Sequence, residues 1–220
     1  MEPVAHIRSP YPEKFGVPRQ GNLAPHVLSD IVLAPPFRDE ACVRGLEEFS
    51  HIWLIWGFDR NGSEWHPTVR PPRLGGNERL GVFATRSPFR PNGLGLSVVK
   101  LEAVLPGPVL RVSGADLVDG SPIYDIKPYV PYADAIPDAA AGFTRRERPT
   151  LRVDLPEELL PPGLPPHWRE GLAETLAQDP RPAYQRDPER VYHLLFEPCE
   201  VHFSVDDGIA HVHAVEPLSR

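Results

Sequence analysis

The sequence predicts a mainly β chain, an antiparallel barrel or sandwich followed by a small α+β domain. Three observations carry this. Twenty-nine of the 220 residues are proline, roughly 13% against a usual value near 5%, and prolines at that density interrupt long helices. The apolar runs are short, rich in β-branched and aromatic residues, and separated by turn signals. A small and then charged stretch, residues 138–150, separates a first domain (1–137) from a second (151–220) of different composition.

The elements follow in order. Residues 4–8 and 29–33 are the first two apolar runs and read as strands. Residues 39–49 place Ala41, Val43, Leu46 and Phe49 at helical spacing, which predicts a short helix. Residues 50–58 are continuously apolar, as in a strand covered on both faces. Strands are expected over 80–85 and 96–105, with an arginine-rich loop between them, and over 109–116. The turn Asp119-Gly120-Ser121-Pro122 leads into a strand at 123–126. In the second domain, 151–155 reads as a strand and 168–178 as a helix. Strands at 192–196, 200–205 and 209–215 follow, the last two joined by Asp206-Asp207-Gly208.

Composition narrows the function. No run of 18 apolar residues exists, so no membrane span is expected. The first residues lack the apolar stretch of a signal peptide, and Cys42 and Cys199 lie far apart, so a cytoplasmic protein with free thiols is expected. The net charge of −7 is uneven: residues 151–220 hold 6 Lys/Arg against 13 Asp/Glu, whereas residues 60–90 hold six arginines against Glu64 and Glu78. Such a chain is a poor non-specific binder of nucleic acid. A focused arginine patch can still hold one anionic segment in a defined place.

Two stretches are dense enough to form a site. Residues 70–97 set five arginines among glycines and prolines. Guanidinium forks suit carboxylates and phosphates, and glycine lets backbone approach a ligand. This points to an anionic or nucleotide-like ligand, against the plainer reading of an arginine-rich surface loop. Residues 116–129 gather Asp116, Asp119, Asp125, Tyr124, Tyr129 and Lys127. Carboxylates and phenols accept protons or hold a ribose. Equally, such aspartates cap their own turn.

Other chemistries lack their motifs. Gly93-Leu-Gly95-Leu-Ser-Val98 has no third glycine, so there is no Rossmann fingerprint, and no Walker loop occurs. Ser87 and Ser97 sit in no G-x-S-x-G elbow. No metal centre is expected. Cys199 and His202 are spaced C-x-x-H and His211 and His213 alternate, but no second pair completes either set.

Four blocks resemble the TsaA-like family. They are Ile7-Arg-Ser-Pro-Tyr with Phe15-Gly-Val-Pro-Arg-Gln; Val43-Arg-Gly-Leu-Glu-Glu-Phe-Ser-His-Ile-Trp; the run from Thr68 through Asn92; and Asp116-Leu-Val-Asp-Gly-Ser-Pro with Asp125-Ile-Lys-Pro-Tyr. Asp179-Pro-Arg-Pro-Ala-Tyr resembles the signature of the family's second domain. The resemblance implies a single-sheet antiparallel β-barrel, a homodimer, and S-adenosylmethionine as cofactor. It implies methylation of the exocyclic nitrogen of threonylcarbamoyl-adenosine at position 37, next to the tRNA anticodon. It carries cofactor contacts onto Pro18, Arg19, Gln20, Asp59, Arg60, Arg86, Leu96, Asp116, Leu117, Val118 and Asp119. Asp125 or Tyr129 is expected to remove the acceptor proton, and Arg90 or Arg73 to pair the threonyl carboxylate. Arg181, Arg186 and Arg190, beside Tyr184, are expected to face the tRNA anticodon stem-loop. Two other readings stay open. One is a non-catalytic S-adenosylmethionine or nucleotide sensor. The other is an interaction protein docking through Trp53, Trp56 and Trp65.

Overall fold

The computed structural model describes residues 1–62, 64–71, 74, 78–145, 149–182, 185 and 187–218. Six strands close into an antiparallel barrel: β1 (Ala5–Arg8), β2 (Leu28–Leu33), β3 (His51–Gly57), β6 (Leu94–Leu105), β7 (Val109–Ser113) and β8 (Pro122–Pro128), in the order β1-β2-β7-β6-β3-β8 with β8 returning to β1. Two short strands, β4 (Thr68–Val69) and β5 (Leu80–Gly81), pair outside it. Alternate residues point inward, as the period of a strand requires. Ile7, Ile31, Ile52, Leu54, Val99, Leu110, Val112 and Ile123 fill the interior, all buried.

The second sheet is ordered β10 (Tyr192–Phe196), β11 (Cys199–Asp206), β12 (Ile209–Pro217) and β9 (Arg152–Asp154), with β9 parallel to β12. Helix α2 (Trp168–Ala177) buries Trp168, Leu172, Thr175 and Leu176 in the core of this sheet. A one-turn helix, α1 (Pro131–Asp134), follows the barrel. Among the described residues no helix is long and apolar enough to cross a membrane, and both cysteines are free.

Residues between β1 and β2 join the second core, not the first. Tyr11, Ala24 and Val27 are buried there, with Phe15 and Val17 packed against them. The Tyr11 hydroxyl shares a hydrogen bond with Thr175 of α2 at 2.8 Å, and burial pushes its pKa well above the phenol range. His26 meets Glu174 through both its backbone N–H and its ring. Each buried apolar side chain contributes about 1.5–3 kcal/mol, so this loop holds the two cores together.

Three elements differ from the sequence expectation. The helix over 39–49 is instead two short 3-10 turns, Glu40–Cys42 and Leu46–Glu48. Gly45 between them takes φ 84°, a left-handed conformation that ends helical hydrogen bonding. The strand over 80–85 stops at Gly81, where the chain turns into a 3-10 segment that buries Val82 and leaves Phe83 78% exposed. The strand at 51–57 is covered on one face only. Ile52, Leu54 and Trp56 are buried, while Trp53 and Ile55 are half-buried on the outer wall. A small closed barrel has one interior, so a continuous apolar run still alternates.

Candidate functional site

The site grows from the alternation of β6. Gly95, Ser97, Val99 and Leu101 turn inward. Trp56 on β3 lies directly opposite Gly95, and a Cβ on Gly95 would stand 2.3 Å from the indole. Only glycine lets that ring lie across the strand. The Trp56 indole N–H donates to the Ser97 hydroxyl at 3.0 Å, and Ser97 donates to the Asp116 carboxylate at 2.6 Å. Phe58 packs on Trp56 with ring centroids 4.3 Å apart.

Asp116 sits just after β7, where burial raises its pKa above the usual carboxylate range. The Ser97 hydroxyl, the Gly21 backbone and the charge of Arg86 act in the opposite direction but do not outweigh burial. Arg86 donates to the Gln20 side-chain oxygen at 2.6 Å, and Gln20 donates to the Arg19 carbonyl. Pro18 is buried beside them and Arg19 is exposed. Three segments distant in sequence, 18–21, Arg86 and Asp116, are thereby brought together.

Arg60 clamps a second part of the rim. Its guanidinium donates to the carbonyls of Pro12 and Asp119, while Lys14 donates to the carbonyl of Arg60 and to Asn61. Asp119 accepts from the Ser9 N–H at 2.9 Å and donates its own N–H to Tyr11. The Leu117 side chain is fully buried in the barrel core, so it can meet a ligand only through backbone. Val118 is half-buried. Asp59 is exposed and lines an open cleft of about 240 Å³ with Phe58, Asn92, Leu94 and Tyr124.

The remaining predicted residues lie elsewhere. Leu96 faces outward, 54% exposed, opposite Ile55, whose other cross-strand neighbour is Asp125. Asp125 pairs with Lys127 at 2.8 Å, and the Tyr129 ring packs on Trp53 and His51. Asp125 and Tyr129 thus stand on the outer wall, whereas Ser97 and Trp56 point inside. Arg90 donates to the Thr85 carbonyl of its own loop. Arg181 makes a two-pronged pair with Asp179 at 2.8 and 3.2 Å and is 13% exposed, an internal contact that leaves little of it for a phosphate. Arg190 lies over the Tyr192 ring at 5.3 Å. Arg73, Tyr184 and Arg186 lie outside the described residues.

Sequence reasoning considered Trp56 only as part of a docking patch, Gly95 only against the Rossmann fingerprint and Ser97 only as a nucleophile, and gave Lys14 no role. The alternation of β6 carried the signal for Ser97. Its partner Trp56 needed the β3–β6 register, which sequence does not supply.

A half-buried carboxylate, its buried serine, and guanidinium groups at the rim of a closed six-stranded barrel can hold a polar organic ligand without a phosphate-binding loop. The fold and site define a two-core β protein of this class. The tRNA-methyltransferase O N-terminal domain matches residues 6–135, and the TrmO C-terminal domain matches residues 161–218. The chain belongs to the tRNA-methyltransferase O family. It is 42% identical to a tRNA (adenine(37)-N6)-methyltransferase of Escherichia coli, over 99% of this chain and 97% of that one. It is 45% identical to a putative S-adenosylmethionine-dependent methyltransferase of Pseudomonas aeruginosa, over 92% of this chain and 91% of the relative. A crystal structure of TrmO from Pseudomonas aeruginosa superimposes with TM-score 0.79 at 36% identity, covering 97% of this chain and 96% of that one.

Proposed function

We propose that this protein transfers a methyl group from S-adenosylmethionine to the N6 atom of adenosine 37 in tRNA, and that the acceptor is the threonylcarbamoylated base. The observation that carries the reading is the Gln20–Arg86 and Ser97–Asp116 constellation at the barrel rim, in a chain 42% identical over nearly its whole length to a curated enzyme of that name.

The residues present fit the cofactor. A carboxylate such as Asp116 accepts from ribose hydroxyls, and the guanidinium groups of Arg86 and Arg19 suit a methionine carboxylate. Bound S-adenosylmethionine supplies an electrophilic methyl group on a sulfonium. The chain has to align the acceptor and take its proton. Asp125 or Tyr129 takes that proton. Support comes from the row Leu96, Ile55, Asp125 on the outer face of β6, β3 and β8, which sets Asp125 two strand spacings, about 10 Å, from Leu96. Arg90 or Arg73 pairs the threonyl carboxylate, and Arg186, Arg190 and Tyr184 contact the anticodon stem-loop together with what Arg181 leaves unpaired. The active form is a homodimer in the cytoplasm. Phe83, Phe89 and Leu96 are at least half exposed, which supports a second copy covering these side chains.

The test is methyl transfer from labelled S-adenosylmethionine to tRNA with and without the threonylcarbamoyl group. Label on the modified tRNA alone is expected. Label on both pools would remove the substrate assignment. Binding of the cofactor with transfer to neither pool would replace the enzyme by a sensor module.

A further inference from the structure

The outer face of the second sheet carries a cluster that the barrel site does not use. β10 and β11 pair so that His193 lies directly opposite His202, with Glu200 two residues before His202 on the same face. Direct cross-strand neighbours hold their Cβ atoms about 4.5–5.5 Å apart, and here the two imidazole centroids are 4.2 Å apart. One carboxylate oxygen of Glu200 is 2.9 Å from His193 Nδ1 and 3.7 Å from His202 Nε2. One ligand atom from each of the three residues falls within 4.8 Å of the others. His202 Nε2 is closed to solvent and has no hydrogen-bond partner among the described residues. A buried ring nitrogen left without one costs free energy.

The sequence pairs His202 with Cys199, but Cys199 turns to the opposite face and is buried in the second core. Strand register supplies His193 instead, which spacing along the chain could not show.

We propose that His193, Glu200 and His202 form a zinc site. Two imidazoles and one carboxylate suit Zn²⁺, whereas Mg²⁺ and Ca²⁺ take oxygen ligands. Tetrahedral zinc with bonds near 2.0–2.1 Å sets its ligand atoms about 3.3 Å apart. The two separations to Glu200, 2.9 and 3.7 Å, bracket that value, so side-chain rotation completes the site on a fixed backbone. The ion occupies the nitrogen of His202 that has no hydrogen-bond partner among the described residues and ties the edge strand β10 to β11. Three protein ligands leave the fourth position to water or to a ligand from outside.

The experiment uses the full chain, stripped with chelator and titrated calorimetrically with zinc chloride, with magnesium chloride as the counter-probe. One equivalent of Zn²⁺ is expected to bind and to raise the melting temperature, with no response to Mg²⁺. The H193Q/H202Q double variant should lose at least tenfold in affinity while melting like the parent in chelator. The H211Q/H213Q variant on the neighbouring strand should bind like the parent. E200Q, which keeps an acceptor for His193, is the second test and should also weaken binding, since it replaces the charged ligand. No stoichiometric uptake by the stripped protein, or uptake undiminished in H193Q/H202Q and E200Q, would overturn the site.

Discussion

Ser97 donates its hydroxyl hydrogen to Asp116 at 2.6 Å, and in doing so presents its lone pairs to the Trp56 indole N–H at 3.0 Å. One hydroxyl therefore satisfies two groups that are largely withdrawn from water. Because Ser97 is itself only 5% exposed, water cannot readily replace it.

Ser97→Ala should thus remove more than one hydrogen bond. It strands an indole N–H and withdraws a donor from a carboxylate already disfavoured by burial. Leaving a buried group unsatisfied costs about 1–3 kcal/mol. In urea unfolding the midpoint should fall with the slope unchanged. A midpoint equal to that of the parent would mean that the Trp56–Ser97–Asp116 chain is not held as described.

Asp116 gives this site a pH signature. Its pKa is raised, with burial as the main cause. The folded state therefore keeps the proton to higher pH than the unfolded state, whose ordinary value is 3.8. In the window between the two values the folded protein binds more protons, and stability from this group falls as pH rises through it. Above the folded value the contribution is level. Asp116→Asn should abolish that slope, be at least as stable as the parent at neutral pH, and bind S-adenosylmethionine less tightly. Urea unfolding between pH 4 and 8 on both proteins reads the slope. A steeper loss in the variant would contradict the burial argument.

Gly95 tests the packing under the same indole. A methyl group there would meet Trp56 at 2.3 Å, so the ring or the strand has to move. Overpacking of this kind costs about 1–3 kcal/mol. Gly95→Ala should lower the unfolding midpoint accordingly. Gly81→Ala is the control: nothing lies within 4 Å of its Cβ position and its φ of −56° suits any residue. It should fall within about 0.5 kcal/mol of the parent. Equal effects from the two substitutions would argue against Trp56 lying over β6.

How much of this was legible in the sequence depends on the kind of contact. The strands at β2, β3, β6, β10, β11 and β12 and the helix α2 follow from period and turn chemistry, which are local. Asp116, Arg86 and Gln20 were reached through block resemblance, and the structure joins Gln20 to Arg86 directly. The contacts of Trp56 with Gly95 and of His193 with His202 were not legible, because both depend on strand register. Nor was the migration of Tyr11, Ala24 and Val27 into the second core. That is a tertiary choice between two cores, and an apolar residue in a loop does not record which one it joins. The short helix at 39–49 failed for a local reason, since the periodicity was right but Gly45 interrupts it at a positive φ.

His26 and Glu174 provide the last prediction, because they fasten the barrel-side loop to α2. The Glu174 carboxylate accepts from the His26 backbone N–H at 2.8 Å and contacts its ring nitrogen at 2.5 Å. The hydrogen bond and charge of Glu174 raise the pKa of His26 above its ordinary 6.5, with smaller help from Glu170 and Glu102. A histidine raised in the folded state stabilises fully below the unfolded value and loses that contribution as pH rises through the folded one. Since the His26 side chain is 50% exposed, solvent screening keeps the effect at or below about 1 kcal/mol. Glu174→Gln retains an acceptor for the backbone N–H but removes the charge. Thermal melts at pH 6 and pH 9 should show the parent more stabilised over the variant at the lower pH, with the difference shrinking at the higher. A difference that stays the same at both pH values would mean that His26 is neutral in this contact and that Glu174 acts only through the backbone.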